Sequence, residues 1–319
     1  MRKEFVSILA VAVMLTLPVS AANVKNVKKK PLAPNPQEIS LNYIHTADSN
    51  FQNGDSYKAI EYYQKAINSN PNDQAAYIKM AKAYLCTYNP KKALETADLV
   101  LKKDAINFEA CTIKASILER QKNYTAALAS YEQALSAQPD DVYTNVKIGA
   151  MRLKLNDKKG AKAYFKKAVS INPGDYRTYV QIANEYNSTN KFSDALKSCY
   201  YAQEAIYVNP KNPNAYLSVG DLYIKQGLNK EAKKCFKKAA KLTPKDKDLY
   251  LKVANMYWYD SPQKIPYKEV INNLEKAVSI NSDIPLEYKL MLIASYTQSG
   301  KKNEAQATFK KLMDNNTSK

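Results

Sequence analysis

The chain has 319 residues, 45% hydrophobic and 24% charged, which is enough apolar material for a folded core and too much for a disordered chain. Forty-eight Lys and Arg against thirty Asp and Glu give a net charge of +18, and the single histidine, His45, excludes most histidine-built metal sites and any mechanism that needs two histidines. Seven glycines with no GxGxxG or GxxxxGK[ST] leave no phosphate-cradling loop, and four cysteines without a CxxC make neither a zinc finger nor a dense disulfide framework.

Residues 1–21 read as a signal peptide. Arg2 and Lys3 form a short basic start, an apolar run follows from Phe5 to Leu17, and Val19 and Ala21 supply the small residues of a cleavage site after Ala21. That run falls short of the roughly 20 apolar residues a spanning helix needs. An exported protein, periplasmic or secreted, is therefore expected, with an uncleaved N-terminal membrane anchor as the alternative. Residues 22–39 carry Lys25, Lys28, Lys29 and Lys30 with Pro31, Pro34 and Pro36, the composition of an extended basic linker. Any membrane contact is expected through this N-terminal part.

From residue 40 onward the chain repeats. Ala47, Ala81, Ala115, Gly149, Ala183, Gly220 and Ala254 follow one another at steps of 34, except for one step of 37. Ala59, Ala93, Ala127, Ala161, Ala195 and Ala232 keep the same phase, and so do Pro71, Pro139, Pro173, Pro210 and Pro244. Such a period is the signature of a repeat architecture. Each unit holds two apolar-periodic stretches joined by a short turn and closed by a proline, which predicts a helical hairpin. Small residues mark the places where two helices cross closely. Gly54, Gly227 and Gly300, with Asn156 and Asn190, fall at the turn inside the hairpin, where a positive φ is needed. Units start at 40, 74, 108, 142, 176, 213, 247 and 286. The fifth has a long second helix, Ser193 to Val208, and the seventh carries about five extra residues around 260–266.

Tyr77, Met80-Ala81, Tyr84 and Ala93, and again Tyr216, Val219-Gly220, Tyr223, Ala232, Phe236, Ala239 and Pro244, resemble the tetratricopeptide repeat. The resemblance covers residues 40–319. It implies an all-α, right-handed superhelical solenoid of about eight two-helix units, with the first helix of each unit lining a concave groove.

Carried onto this chain, the groove positions of that family include Lys79, Lys82, Lys147, Lys154, Arg177, Asn184, Asn187, Lys225, Lys252, Asn255, Trp258 and Tyr259. Acidic groups there are fewer: Asp48, Glu109, Glu119, Asp221, Asp248 and Glu287. A net basic groove with asparagine amides suits an extended protein or peptide partner of acidic character. Trp258 and Tyr259 could instead pack on the 260–266 loop. The four cysteines fall on helices of four different units, which predicts buried, unpaired thiols. Lysine pairs on the second helices read as a solubilising outer face.

The expected function is a non-catalytic protein–protein interaction scaffold outside the cytoplasm, without cofactor, metal or small-molecule substrate. No nucleophile–base pair that would make an enzyme can be read from the residues. Binding of an anionic glycan, wall polymer or nucleic acid through the basic surface is the alternative.

Overall fold

The computed structural model describes residues 35–262 and 264–317. The signal peptide 1–21 and the greater part of the linker lie outside the described residues. Sixteen helices, with no strand among the described residues, form eight hairpins. They are α1 (Pro36–Gln52) with α2 (Ser56–Ser69), α3 (Gln74–Cys86) with α4 (Pro90–Leu101), α5 (Phe108–Arg120) with α6 (Tyr124–Ala137), and α7 (Val142–Lys154) with α8 (Lys158–Ile171). There follow α9 (Tyr176–Asn187) with α10 (Phe192–Val208), α11 (Pro213–Lys225) with α12 (Asn229–Leu242), α13 (Lys247–Tyr259) with α14 (Tyr267–Ile280), and α15 (Leu286–Gln298) with α16 (Lys302–Thr317). The first helices of units two to eight begin at the residues from which the period counts. The first unit differs: its helix starts at Pro36, inside the stretch expected as linker. Asn35 accepts from the backbone N–H of Gln37, and Pro36 stands where a helix tolerates proline.

Local chemistry sets the helix ends. Each of α1 to α9, α11 and α13 starts behind an Asn or Asp whose side chain accepts from a first-turn N–H, as Asp157 does from Gly160. Among the described residues, every hairpin turn except that between α13 and α14 closes with one left-handed residue. Gly54, Asn156, Asn190, Gly227 and Gly300 adopt positive φ as their residue types predict. Tyr88 and Lys122 do so as well, at φ 55° and 62°, which their side chains do not advertise. The next residue explains it. Asn89 and Asn123 each cap the following helix and return a backbone N–H to the carbonyls of Tyr84 and Leu118, so the turn is held from both sides.

The small residues lie at helix crossings. Ala47, Ala81, Ala115, Ala183 and Ala254 are wholly buried. At Gly149 a methyl group would stand 2.5 Å from the Phe165 ring, and at Gly220 it would run into the Phe236 ring. The closing prolines do more than stop helices. The carbonyls of Pro173 and Pro210 accept from the hydroxyls of Tyr179 and Tyr216, and Pro139 from the amide of Asn145, tying each turn to the next unit. The loop 260–266 has seven residues where α11 and α12 are joined by three, so four of this unit's five extra residues lie there and the fifth in the turn 281–285. The thiols are less uniform than expected: Cys111 and Cys235 are buried, Cys199 is half-buried and Cys86 is exposed. Burial, with Glu231 nearby, pushes the Cys235 thiol up to about 11, which makes it a poor nucleophile.

Successive first helices α7, α9, α11 and α13 pack on one another more closely than successive second helices do. The stack therefore curves, with first helices inside and second helices outside.

Candidate functional site

Two pockets lie on the inner face and share α9. The first, about 410 Å³, is lined from α5, α7 and α9, chiefly by Glu119, Arg120, Tyr143, Lys147, Lys154 and Glu185. The second, about 380 Å³, is lined from α9, α11 and α13, with Val180, Leu217 and Met256 between Asn184, Asp221 and Lys252. Both belong to first helices, because those helices alone approach one another along the inner side.

Charge in the first pocket is organised around Lys147. Its ammonium lies 3.0 Å from Glu119 and 2.9 Å from Glu185, so one cation joins units three, four and five. Burial works against the charged lysine, and the two carboxylates more than offset it, holding its pKa above the ordinary lysine value. The Tyr131 hydroxyl donates to Glu119, and burial beside that carboxylate pushes the phenol far up. This lysine is therefore part of the frame, with little charge left over for a ligand.

The same holds for several of the expected cations. Lys79 pairs with Asp48 at 2.6 Å and Lys82 with Glu109 at 2.7 Å, each reaching across to the neighbouring unit. Lys225 pairs with Asp221 on its own helix. Arg177 forks onto Asp175, with Nε 2.9 Å and 3.2 Å from the two oxygens, and lines a different pocket at the inter-unit turns with Asn172, Asn209 and Asn212. The expected basic groove is thus largely neutralised by ion pairs, those of Lys79, Lys82 and Lys147 reaching between units and those of Lys225 and Arg177 local. Glu185 had no place in the sequence mapping, because it stands one residue past the ninth position of its helix.

Among the described residues, Arg120 and Lys252 make no ion pair, and Lys154 binds only the Ser188 carbonyl and hydroxyl, at 3.2 and 2.6 Å. These three cations line the two pockets without a carboxylate partner, and Arg120 stands at the thirteenth position of its helix, a groove position of the family. Asn184 lines the second pocket as expected. Asn187 is half-buried and lines neither of the two groove pockets. Asn255 donates from its amide to the Tyr288 hydroxyl at 2.9 Å, fastening unit seven to unit eight.

Trp258 does not face the groove pockets. Its ring is half-buried and meets the Tyr267 ring edge-on at 6.1 Å, on the α14 side of its hairpin, because the longer loop brings Tyr267 beside it. Tyr259 is 71% exposed at the end of α13. Apolar side chains line the second pocket instead of these aromatics: Val180 and Leu217 stand at the fifth position of their helices, a groove position of the family. No group of three or more His, Cys, Asp and Glu stands where it could hold a metal ion, among the described residues.

A family model described as tetratricopeptide repeat matches residues 42–73, 108–141, 143–175 and 213–246. Human protein O-mannosyl-transferase TMTC3 is 27% identical over 192 residues, which are 56% of this chain and 20% of that protein. The Hsp70-Hsp90 organizing protein of Triticum aestivum is 25% identical over 219 residues, 64% of this chain and 35% of that one. The chain thus spans a fifth to about a third of the length of these two relatives. A crystal structure of a tetratricopeptide repeat protein from Parabacteroides merdae superposes with a TM-score of 0.50 at 17% identity, covering 81% of this chain and 99% of that one, and so shares its fold. Hairpins of 34-residue period, small residues at each crossing and the matched units agree: the chain belongs to the tetratricopeptide-repeat family.

Proposed function

We propose that this protein is a non-catalytic scaffold that holds an extended segment of another protein along its first-helix groove. The observation that carries the reading is the pair of adjoining pockets, 410 and 380 Å³, one polar and one floored by Val180, Leu217 and Met256. A peptide passing from one to the other would set carboxylates against Arg120 and Lys154, bury an apolar side chain in the second pocket, and meet Lys252 beyond it. The partner's acidic character thus rests on three unpaired cations, not on the lysines already spent on the frame. Repeats of this family build protein–protein interaction scaffolds, and one relative is named for organising Hsp70 and Hsp90.

The test is a pull-down from envelope extract with the purified chain as bait. One protein recovered in stoichiometric amount is expected, and Arg120→Glu, Lys154→Glu and Lys252→Glu together should reduce its recovery by about tenfold or more with an unchanged thermal melt. Recovery that survives the triple reversal would refute the groove reading.

The place of action is part of the same proposal. The leader, Arg2 and Lys3 followed by the apolar run and Ala21, supports export to the periplasm or beyond. The intact mass of protein isolated from its native cells should correspond to a chain beginning at Ala22. A chain that keeps Met1 to Ala21 would be anchored at its N-terminus instead.

A further inference from the structure

The basic charge of this molecule is not spread evenly over its outer face. The second helix α8 carries five lysines and no acid, and α12 carries six lysines and one glutamate. Every other second helix, α10 included, has a net charge between −1 and +1. Lys233 of α12 is tied to Glu269, but Lys162, Lys166, Lys234, Lys237 and Lys241 are exposed and make no ion pair among the described residues. Self-repulsion on each helix is therefore left uncompensated, which a purely structural role would not favour.

Between these two helices in the stack lies α10, whose outer line carries three exposed apolar side chains, with Gln203 and Glu204 standing between the last two. Leu196, Tyr200 and Tyr207 are 63%, 57% and 79% exposed. Their spacing of four and seven residues puts them on one line along the helix. Tyr200 is the ninth residue of α10, and the ninth residues of the other second helices are Gln64, Asp98, Glu132, Lys166, Lys237, Glu275 and Lys310. A tyrosine there serves no fold requirement that the other seven helices share. α10 is also three residues longer than α8 or α12, and Tyr207 stands on the extra turn.

We propose that the outer face of units four to six is a docking surface for an anionic lipid bilayer, with Leu196, Tyr200 and Tyr207 entering the headgroup layer between the lysines of α8 and α12. Three features select a bilayer over an acidic protein. The face is convex, so it can rest on a flat sheet but offers no seat for a peptide. Its cations are all lysine, hydrated point charges that suit diffuse phosphates, whereas fixed carboxylates favour the fork of arginine. The apolar element is one thin stripe, too small for the core of a stable protein interface, which buries about 800 Å² per partner, but of the kind an interfacial helix presents. The proposal is independent of what the groove binds, because the two faces lie on opposite sides of the helical layers.

The experiment is co-sedimentation of the chain from Ala22 onward, so that the apolar leader adds no membrane affinity of its own. Vesicles of phosphatidylcholine alone are compared with vesicles containing about one-third phosphatidylglycerol. Binding to the anionic vesicles only, weakened by salt, is expected. Replacing Lys162, Lys166, Lys234 and Lys237 by Gln should lower partitioning by roughly a hundredfold or more. Leu196→Ser, Tyr200→Ser and Tyr207→Ser together should lower it by about tenfold. All seven side chains are exposed, so helical circular dichroism and the melting temperature should hold in both variants. No binding, or equal binding to phosphatidylcholine alone, overturns the proposal. So does wild-type partitioning by the Leu196/Tyr200/Tyr207 variant together with full competition by soluble polyglutamate, which would assign the face to an acidic macromolecule.

Discussion

Raising the pH to about 11 is expected to unfold the whole solenoid in one step. Burial pushes the phenols of Tyr186 and Tyr223 up to about 12. It pushes those of Tyr63, Tyr131, Tyr257 and Tyr296 higher still, helped by Asp48, Glu119, Glu269 and Glu275 beside them. In the unfolded chain all six titrate near 10. A group whose folded pKa is raised lends stability that is complete below its unfolded pKa and is lost as the pH climbs toward the folded one. Each tyrosine therefore removes about 1.4 kcal/mol over the first pH unit above about 10, and six remove about 8 kcal/mol, within the 5–15 kcal/mol that holds a typical fold. Lys147 adds to the loss, since Glu185 and Glu119 hold its proton in the fold only. Helical ellipticity and tyrosinate absorbance should change together. If every tyrosine of the chain titrates smoothly near pH 10 while the helices persist, these phenols are not buried beside carboxylates.

Gly220→Leu is expected to cost about 3 kcal/mol, the upper end of what overpacking a core usually costs. The reason is local: the first added carbon already meets the Phe236 ring, which is itself wedged edge-on against Tyr257 with centroids 5.4 Å apart and cannot swing away. In a chain of this size the melting temperature should fall by roughly 5 °C. Combining the change with Phe236→Leu should cost less than the sum of the two singles, because the shorter side chain yields space to the new one. A leucine at Gly54 is a useful contrast. Nothing lies within 4 Å of it, so only the strain of its φ of +85° is incurred, about 1 kcal/mol. Equal melts for wild type and Gly220→Leu would mean that α11 and α12 do not cross there.

These expectations differ in how far the residues alone could carry them. The hairpin starts at Gln74, Phe108, Val142 and onward could be read directly, because capping, turn and close-crossing preferences act within one unit and recur each period. The left-handed turns at Tyr88 and Lys122 could not, because their backbone is imposed by the capping residue that follows. Groove membership was legible for Asn184, Lys147 and Lys154, whose place follows from helix phase. The ionic state of the groove was not. Lys147 meets partners 28 residues before it and 38 after it, and which carboxylates come within reach depends on how each unit is rotated against the next.

By itself the sequence determined the repeat, the two-helix unit, the family resemblance and the residues that cross closely, since these depend on short-range spacing and side-chain size. Only the tertiary structure decided which cations remain without a carboxylate, that Trp258 turns to Tyr267, and that the exposed stripe of α10 runs between two lysine-rich helices. Those facts belong to the stacking of units, where small rotations accumulate over hundreds of residues and no single repeat records them.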